Sequence, residues 1–135
     1  MPFDGTTNPT LETLIRARQI LAEDGWCQGV LWDHRGRVCA IGALLKGHDL
    51  LWQDDRGQIL PAVGVLVEAN QLAPAVERGY YSPEGLLQIS VVKWNNAEGR
   101  TKEEVLDAFD RAIESLIPRN PGFGRAAAIA HSEAL

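Results

Sequence analysis

The chain has 135 residues, 45% hydrophobic and 23% charged, which suits one folded domain with a sizeable core. Its formal net charge of -5 argues against broad electrostatic binding to nucleic acid, and two cysteines, Cys27 and Cys39, do not make a disulfide scaffold. No apolar run is long enough to span a bilayer, and MPFDGTTNPT lacks the basic and apolar regions of a secretory signal, so the expected location is cytoplasmic.

Residues 1–8 read as a flexible arm. Asn8 is an expected N-cap with Pro9 at the first helical position. The helix runs to about Asp24, with Leu11, Leu14, Ala17 and Leu21 toward the core, and Gly25 ends it. Val30, Leu31 and Trp32 then suit a strand, DHRG a turn, and Arg37 and Val38 a returning strand. A short buried helix is expected from near Cys39. Gly42 within it implies close approach to a neighbouring backbone, because glycine there costs about 1 kcal/mol relative to alanine.

LWDHRGRVCAIGALL, from Leu31, has an echo in LWQDDRGQILPAVGVLV, from Leu51. The echo suits either a duplicated hairpin-plus-helix unit or a chance likeness. Pro61 opens a helix expected through about Ala73, residues 74–82 read as a loop, and Ser82–Pro83 starts another helix toward Trp94. Thr101 and Glu104 form a capping box. Val105, Leu106, Phe109, Ala112, Ile113, Leu116 and Ile117 follow on one stripe, and Pro118 stops the helix. The expected architecture is mainly α with short β-hairpins, an α+β fold. Residues 9–117 form the single compact domain, and 118–135 form a linker and a short helix or tail.

WCQG, DHRGR, CAIGALL and WNNAEGRTKEEVLDAFDRAI, in that order, resemble a family of small uncharacterised proteins from actinobacterial and phage genomes. The last block is the most specific part, and the likeness covers roughly residues 11–117. It implies a compact, mainly helical domain and supplies no activity. The resemblance places aspartate at position 96, where this chain has asparagine.

Cys39 is the best candidate nucleophile. A helix N-terminus stabilises a thiolate, His34 or His48 is a possible base, and Asn95 or Asn96 a possible orienting group. Against this, its neighbours Val38, Ala40 and Ile41 suit a buried, unreactive thiol, and Cys27 should be the more accessible of the two. Cys27, His34, Cys39 and His48 offer zinc-type ligands, but their spacing matches no common finger. No metal site and no cofactor is therefore expected. Asp49, Asp54 and Asp55 lack the alternation of a calcium loop. Among the tryptophans, Trp32 and Trp94 are expected in the core. Trp52, Tyr80 and Tyr81 are candidate binding residues, because aromatics with a polar tip anchor interfaces. The favoured class is a non-enzymatic protein-binding or accessory module, of phage or mobile-element type, with a protein partner and neither nucleic acid nor membrane as target. The alternative is a cysteine-dependent hydrolase or transferase centred on Cys39.

Overall fold

In the computed structural model, residues 8–48, 59–72 and 83–117 are described. Helix α1 spans Pro9–Asp24. Asn8 Oδ1 accepts from the Leu11 amide at 3.1 Å, and Pro9 has no amide hydrogen to leave unpaired. Gly25 closes the helix with its N–H on the Leu21 carbonyl at 3.2 Å. Lys102 Nζ donates to the Ala22 carbonyl, a favourable place for positive charge.

Helix α2, Ala40–Gly47, is apolar on nearly every side, and a helix of that kind belongs inside a core. It packs between α1 and α4, which spans Pro83–Asn95. Two glycines make this possible. A Cβ on Gly42 would lie 2.0 Å from the Leu31 carbonyl oxygen, and one on Gly47 would lie 3.0 Å from the Ala17 nitrogen. Helices α3, Leu60–Ala69, and α5, Lys102–Leu116, close the core, with α3 against α4 and α5 and α1 against α5. Leu14, Leu21, Ile41, Leu44, Val63 and Phe109 meet at its centre. Each contributes on the order of 1.5–3 kcal/mol through burial.

The start of α5 is the expected capping box. Thr101 Oγ1 accepts from the Glu104 amide at 3.2 Å, and Glu104 Oε1 accepts from the Thr101 amide at 3.0 Å. The Thr101 amide, helped by the Arg100 charge against slight desolvation, holds the Glu104 carboxyl below its usual range. Asp110 on the same helix takes a two-pronged ion pair from Arg18 at 2.9 and 3.2 Å, joining α5 to α1.

The β-hairpins do not form: the described residues contain five helices and no strand. The first LW…RG segment makes two isolated bridges, both centred on Val38. One is parallel with Trp26 and the other antiparallel with Trp32. The DHRG turn does form. Asp33 Oδ1 accepts from the amides of Arg35 and Arg37, and Oδ2 from Arg37 Nε at 2.6 Å. The ladder stops because no chain is left to extend it. Gly25 has just left α1 on one side, and Cys39 already caps α2 on the other. Burying the central residue and saturating one carbonyl and one amide on each flank is all this stretch achieves.

Helix α3 ends at Ala69 rather than near Ala73. Asn70 Nδ2 folds back onto the Leu66 carbonyl and also reaches the Ala108 carbonyl, both at 3.0 Å. Gln71 then takes a left-handed φ of 52°, which breaks the helical path. The second LW…RG turn at 51–57, the 74–82 loop, the N-terminal arm through residue 7 and the 118–135 tail lie outside the described residues. No helix among the described residues is long and apolar enough to cross a membrane.

Gly42→Ala tests the α1–α2–loop junction. Helix propensity alone stabilises the variant by about 1 kcal/mol. Collision with the Leu31 carbonyl reverses the sign, with an expected loss of at least about 2 kcal/mol in urea unfolding. A stabilised variant would remove the close approach.

Candidate functional site

Helix α4 ends at Asn95, whose side chain is 1% exposed. A primary amide has two acceptor positions and two N–H donors, and this one uses all four. Oδ1 accepts from Trp26 Nε1 at 2.7 Å and from the Ala40 amide at 3.1 Å. Nδ2 donates to the Cys27 carbonyl at 3.2 Å and to Asn96 Oδ1 at 3.0 Å. Trp26 Nε1 and the Ala40 amide can only donate, so the amide orientation is fixed by its partners.

The neighbours reinforce this junction. Asn96 Oδ1 also accepts from the Gly29 amide at 2.9 Å. Gln28 Nε2 donates to the carbonyls of Asn95 and Ala97, each at 3.0 Å. Arg100 places its guanidinium 4.5 Å from the Trp94 ring centre, and its Nε donates to the Trp94 carbonyl. WCQG, the start of CAIGALL and WNN…GR therefore meet in one place. The Asn96 side-chain oxygen accepts in both of these bonds, a role that a carboxylate at that position also fills.

Cys39 is N-cap of α2, 4% exposed, with Sγ accepting from the Gly42 amide at 3.4 Å. His48 caps the other end of that helix, about 13 Å away at the rise of an α-helix. Its backbone amide donates to the Leu44 carbonyl. The Thr13 hydroxyl commits its proton to the Pro9 carbonyl at 2.9 Å, so across 3.3 Å it accepts from His48 Nδ1–H. The structure brings Cys39 and Asn95 together through the Ala40 amide and holds His48 apart from both. Asn95 has no hydrogen-bonding position left for an imidazole. His34 is exposed in the DHRG turn.

Cys27 is 9% exposed and donates through Sγ to the Arg37 carbonyl at 3.3 Å, with the Val30 carbonyl at 3.7 Å. Burial pushes this thiol above its ordinary value, nearby Cys39 and Asp33 add to the rise, and Arg37 opposes it. Among the described residues no group of three His, Cys, Asp or Glu side chains gathers to hold a metal. Trp52, Tyr80 and Tyr81, with Asp49, Asp54 and Asp55, lie outside the described residues.

Trp94 packs against the core, partly buried, but Trp32 does not belong there: it is 41% exposed. Only Val38, its bridge partner, is buried, so the bridge secures the Trp32 backbone and leaves the ring outside. Val30 is 51% exposed, while Leu31 between them packs on the core. The exposure of Val30 carries no signal in the sequence, whereas Trp26 and Asn95 each carry one, since an indole N–H and an amide must find partners when buried.

Among the described residues, one cleft lies beside Trp94 and another at the far end of α2. The first, of about 320 Å³, is lined by Asn70, Leu72, Trp94, Arg100 and the polar face of α5, and the second, of about 250 Å³, by Thr13, His48, Pro61 and neighbours. Asn70 Oδ1, at the first, is buried and meets no hydrogen-bond partner among the described residues.

Two pairs of measurements test this chemistry. Asn95→Asp sets a carboxylate against the Cys27 carbonyl and Asn96 Oδ1, with an expected loss of about 3 kcal/mol. Asn96→Asp keeps both bonds and should stay within about 0.5 kcal/mol. Equal losses in urea unfolding would contradict the junction as drawn. For Cys27, the raised folded-state pKa means the unfolded chain loses its proton first as pH climbs past about 9. The stability gained from the neutral buried thiol is complete below that pH and declines above it. Wild type should therefore lose more stability than Cys27→Ala between pH 7.5 and 10. A pH-independent difference between the two would count against the shift.

No curated protein and no solved structure matches the chain. A family model described as a family of unknown function matches residues 5–115, most of the length. The blocks that meet at Asn95 all fall within that match, and the chain belongs to this family, DUF6197.

Proposed function

We propose that this chain is a non-enzymatic binding or accessory module whose contact surface is the loop from Gln28 to Arg37. One observation carries the reading: Val30 and Trp32 are both exposed, on either side of an inward-packed Leu31. The loop is held in advance of any partner. Gly29 is tied to Asn96, Gln28 to two carbonyls after α4, and Asp33 closes the turn through three hydrogen bonds. A surface ordered beforehand loses little conformational entropy on binding.

Charge states the chemistry of the partner. Arg37 is neutralised by Asp33, but Arg35 has no ion pair among the described residues. Tryptophan and arginine together are the residue types that dominate interface energies. The partner that fits is a folded protein with an apolar pocket for the indole and a carboxylate at its rim. The phage and actinobacterial setting of the sequence resemblance, and a cytoplasmic site of action, accord with a small protein that works by contact.

A photo-crosslinking amino acid in place of Val30 tests this in lysate of the source cells. One protein should form a saturable adduct, competed by excess unlabelled wild type and by Cys39→Ser. Trp32→Ala should compete at least tenfold less well while its unfolding free energy stays within about 0.5 kcal/mol of wild type. The crosslinked peptide should be apolar and acidic. No saturable adduct, or equal competition by Trp32→Ala, removes the reading.

A further inference from the structure

We propose that Cys27 and Cys39 form a reversible disulfide that closes the base of the loop bearing Val30 and Trp32. The proposal stands whether or not the loop binds a partner. Trp26 and Val38 are bridge partners in parallel sense, so Cys27 and Cys39 occupy the next register position. The Cys27 amide donates at 3.0 Å to the Val38 carbonyl, the group immediately before Cys39. Strand neighbours lie about 5 Å apart, within the Cα separation a disulfide spans.

Both thiols also face the same piece of chain. Cys27 Sγ reaches the Val30 and Arg37 carbonyls. Cys39 Sγ meets the Gly42 amide, where helix α2 presses on the Leu31 carbonyl, and the Cys39 amide donates to that same carbonyl. The mutual electrostatic influence of the two sulfurs on Cys27 agrees with this closeness. Both cysteines are buried, and no disulfide joins them here.

A small disulfide such as glutathione disulfide supplies the oxidant. One protein thiolate attacks it, forming a mixed disulfide and releasing one glutathione thiolate. The second protein thiolate attacks the protein sulfur of that bond and releases the other. Two protein thiols lose two electrons and two protons in all, and one glutathione disulfide becomes two glutathiones. Burial keeps the thiolate fraction of Cys27 small, so the position of equilibrium, not the rate, is the informative quantity.

The full chain is equilibrated with glutathione buffers of graded ratio, natively and in urea, then acid-quenched and mapped without reduction. Because the fold holds the thiols in register, the native equilibrium constant for the Cys27–Cys39 bond should exceed that in urea by at least tenfold. The oxidised monomer should be two hydrogens lighter, and Cys27→Ser and Cys39→Ser should each abolish the product. A native constant equal to or below that in urea overturns the proposal. So does a product made mainly of mixed glutathione adducts or of disulfides between chains. Crosslinking from position 30 is read separately, so either idea can fail alone.

Discussion

One buried amide holds the ends of three helices together. Asn95 is the last residue of α4, and its side chain reaches the first amide of α2 and the backbone and indole that follow α1. In a low-dielectric interior each of those groups costs about 1–3 kcal/mol if left unpaired. Removing this one side chain orphans Trp26 Nε1, the Ala40 amide and the Cys27 carbonyl together. No apolar residue can replace it, because the backbone amide of Ala40 and the backbone carbonyl of Cys27 cannot be mutated away with it. The amide is also the right group chemically: it presents an acceptor edge to the donors and a donor edge to the carbonyl, which neither aspartate nor leucine does.

With that junction set, the stretch from Gly25 to Cys39 has little freedom. Val38 is buried between Trp26 and Trp32, and its flanking groups bond on both sides. Gly42 then allows α2 to lie directly against the Leu31 carbonyl. The inner half of the loop is pinned by packing and the outer half by polar bonds from Gln28, Asn96 and Asp33. Its apolar side chains at 30 and 32 are thus displayed by the fold itself.

Much of the helical framework was legible because its signals are local. Asn8–Pro9, Gly25 and Thr101–Glu104 act over one helical turn, and each does in the structure what its spacing indicates. Gly42 was legible as a close approach, though not which backbone it approaches. That the hairpins do not form is not legible, because a strand-favouring run such as Val30–Leu31–Trp32 next to a DHRG turn describes extended chain without saying whether a neighbouring strand has room to grow. Trp32 was misread because hydrophobic residues are usually inside, but that tendency runs only one way. The Asn95 junction was the least legible part. Its partners lie 55, 68 and 69 residues away along the chain, and no periodicity reports contacts of that range. The candidate binding residues Trp52, Tyr80 and Tyr81 fall outside the described residues.

Cys39, His48 and Asn95 share a property that makes them look like chemistry from sequence: each has a short side chain that can donate or accept a hydrogen bond. The same property makes a good cap. Cys39 receives the Gly42 amide at one end of α2, His48 closes the other end and bonds Thr13, and Asn95 spends every donor and acceptor on its neighbours. A catalytic group differs from a cap in keeping a lone pair or proton for substrate. By that criterion the Asn95 amide is fully spent on the junction, while the side chains of Val30, Trp32 and Arg35 are exposed on the loop it anchors.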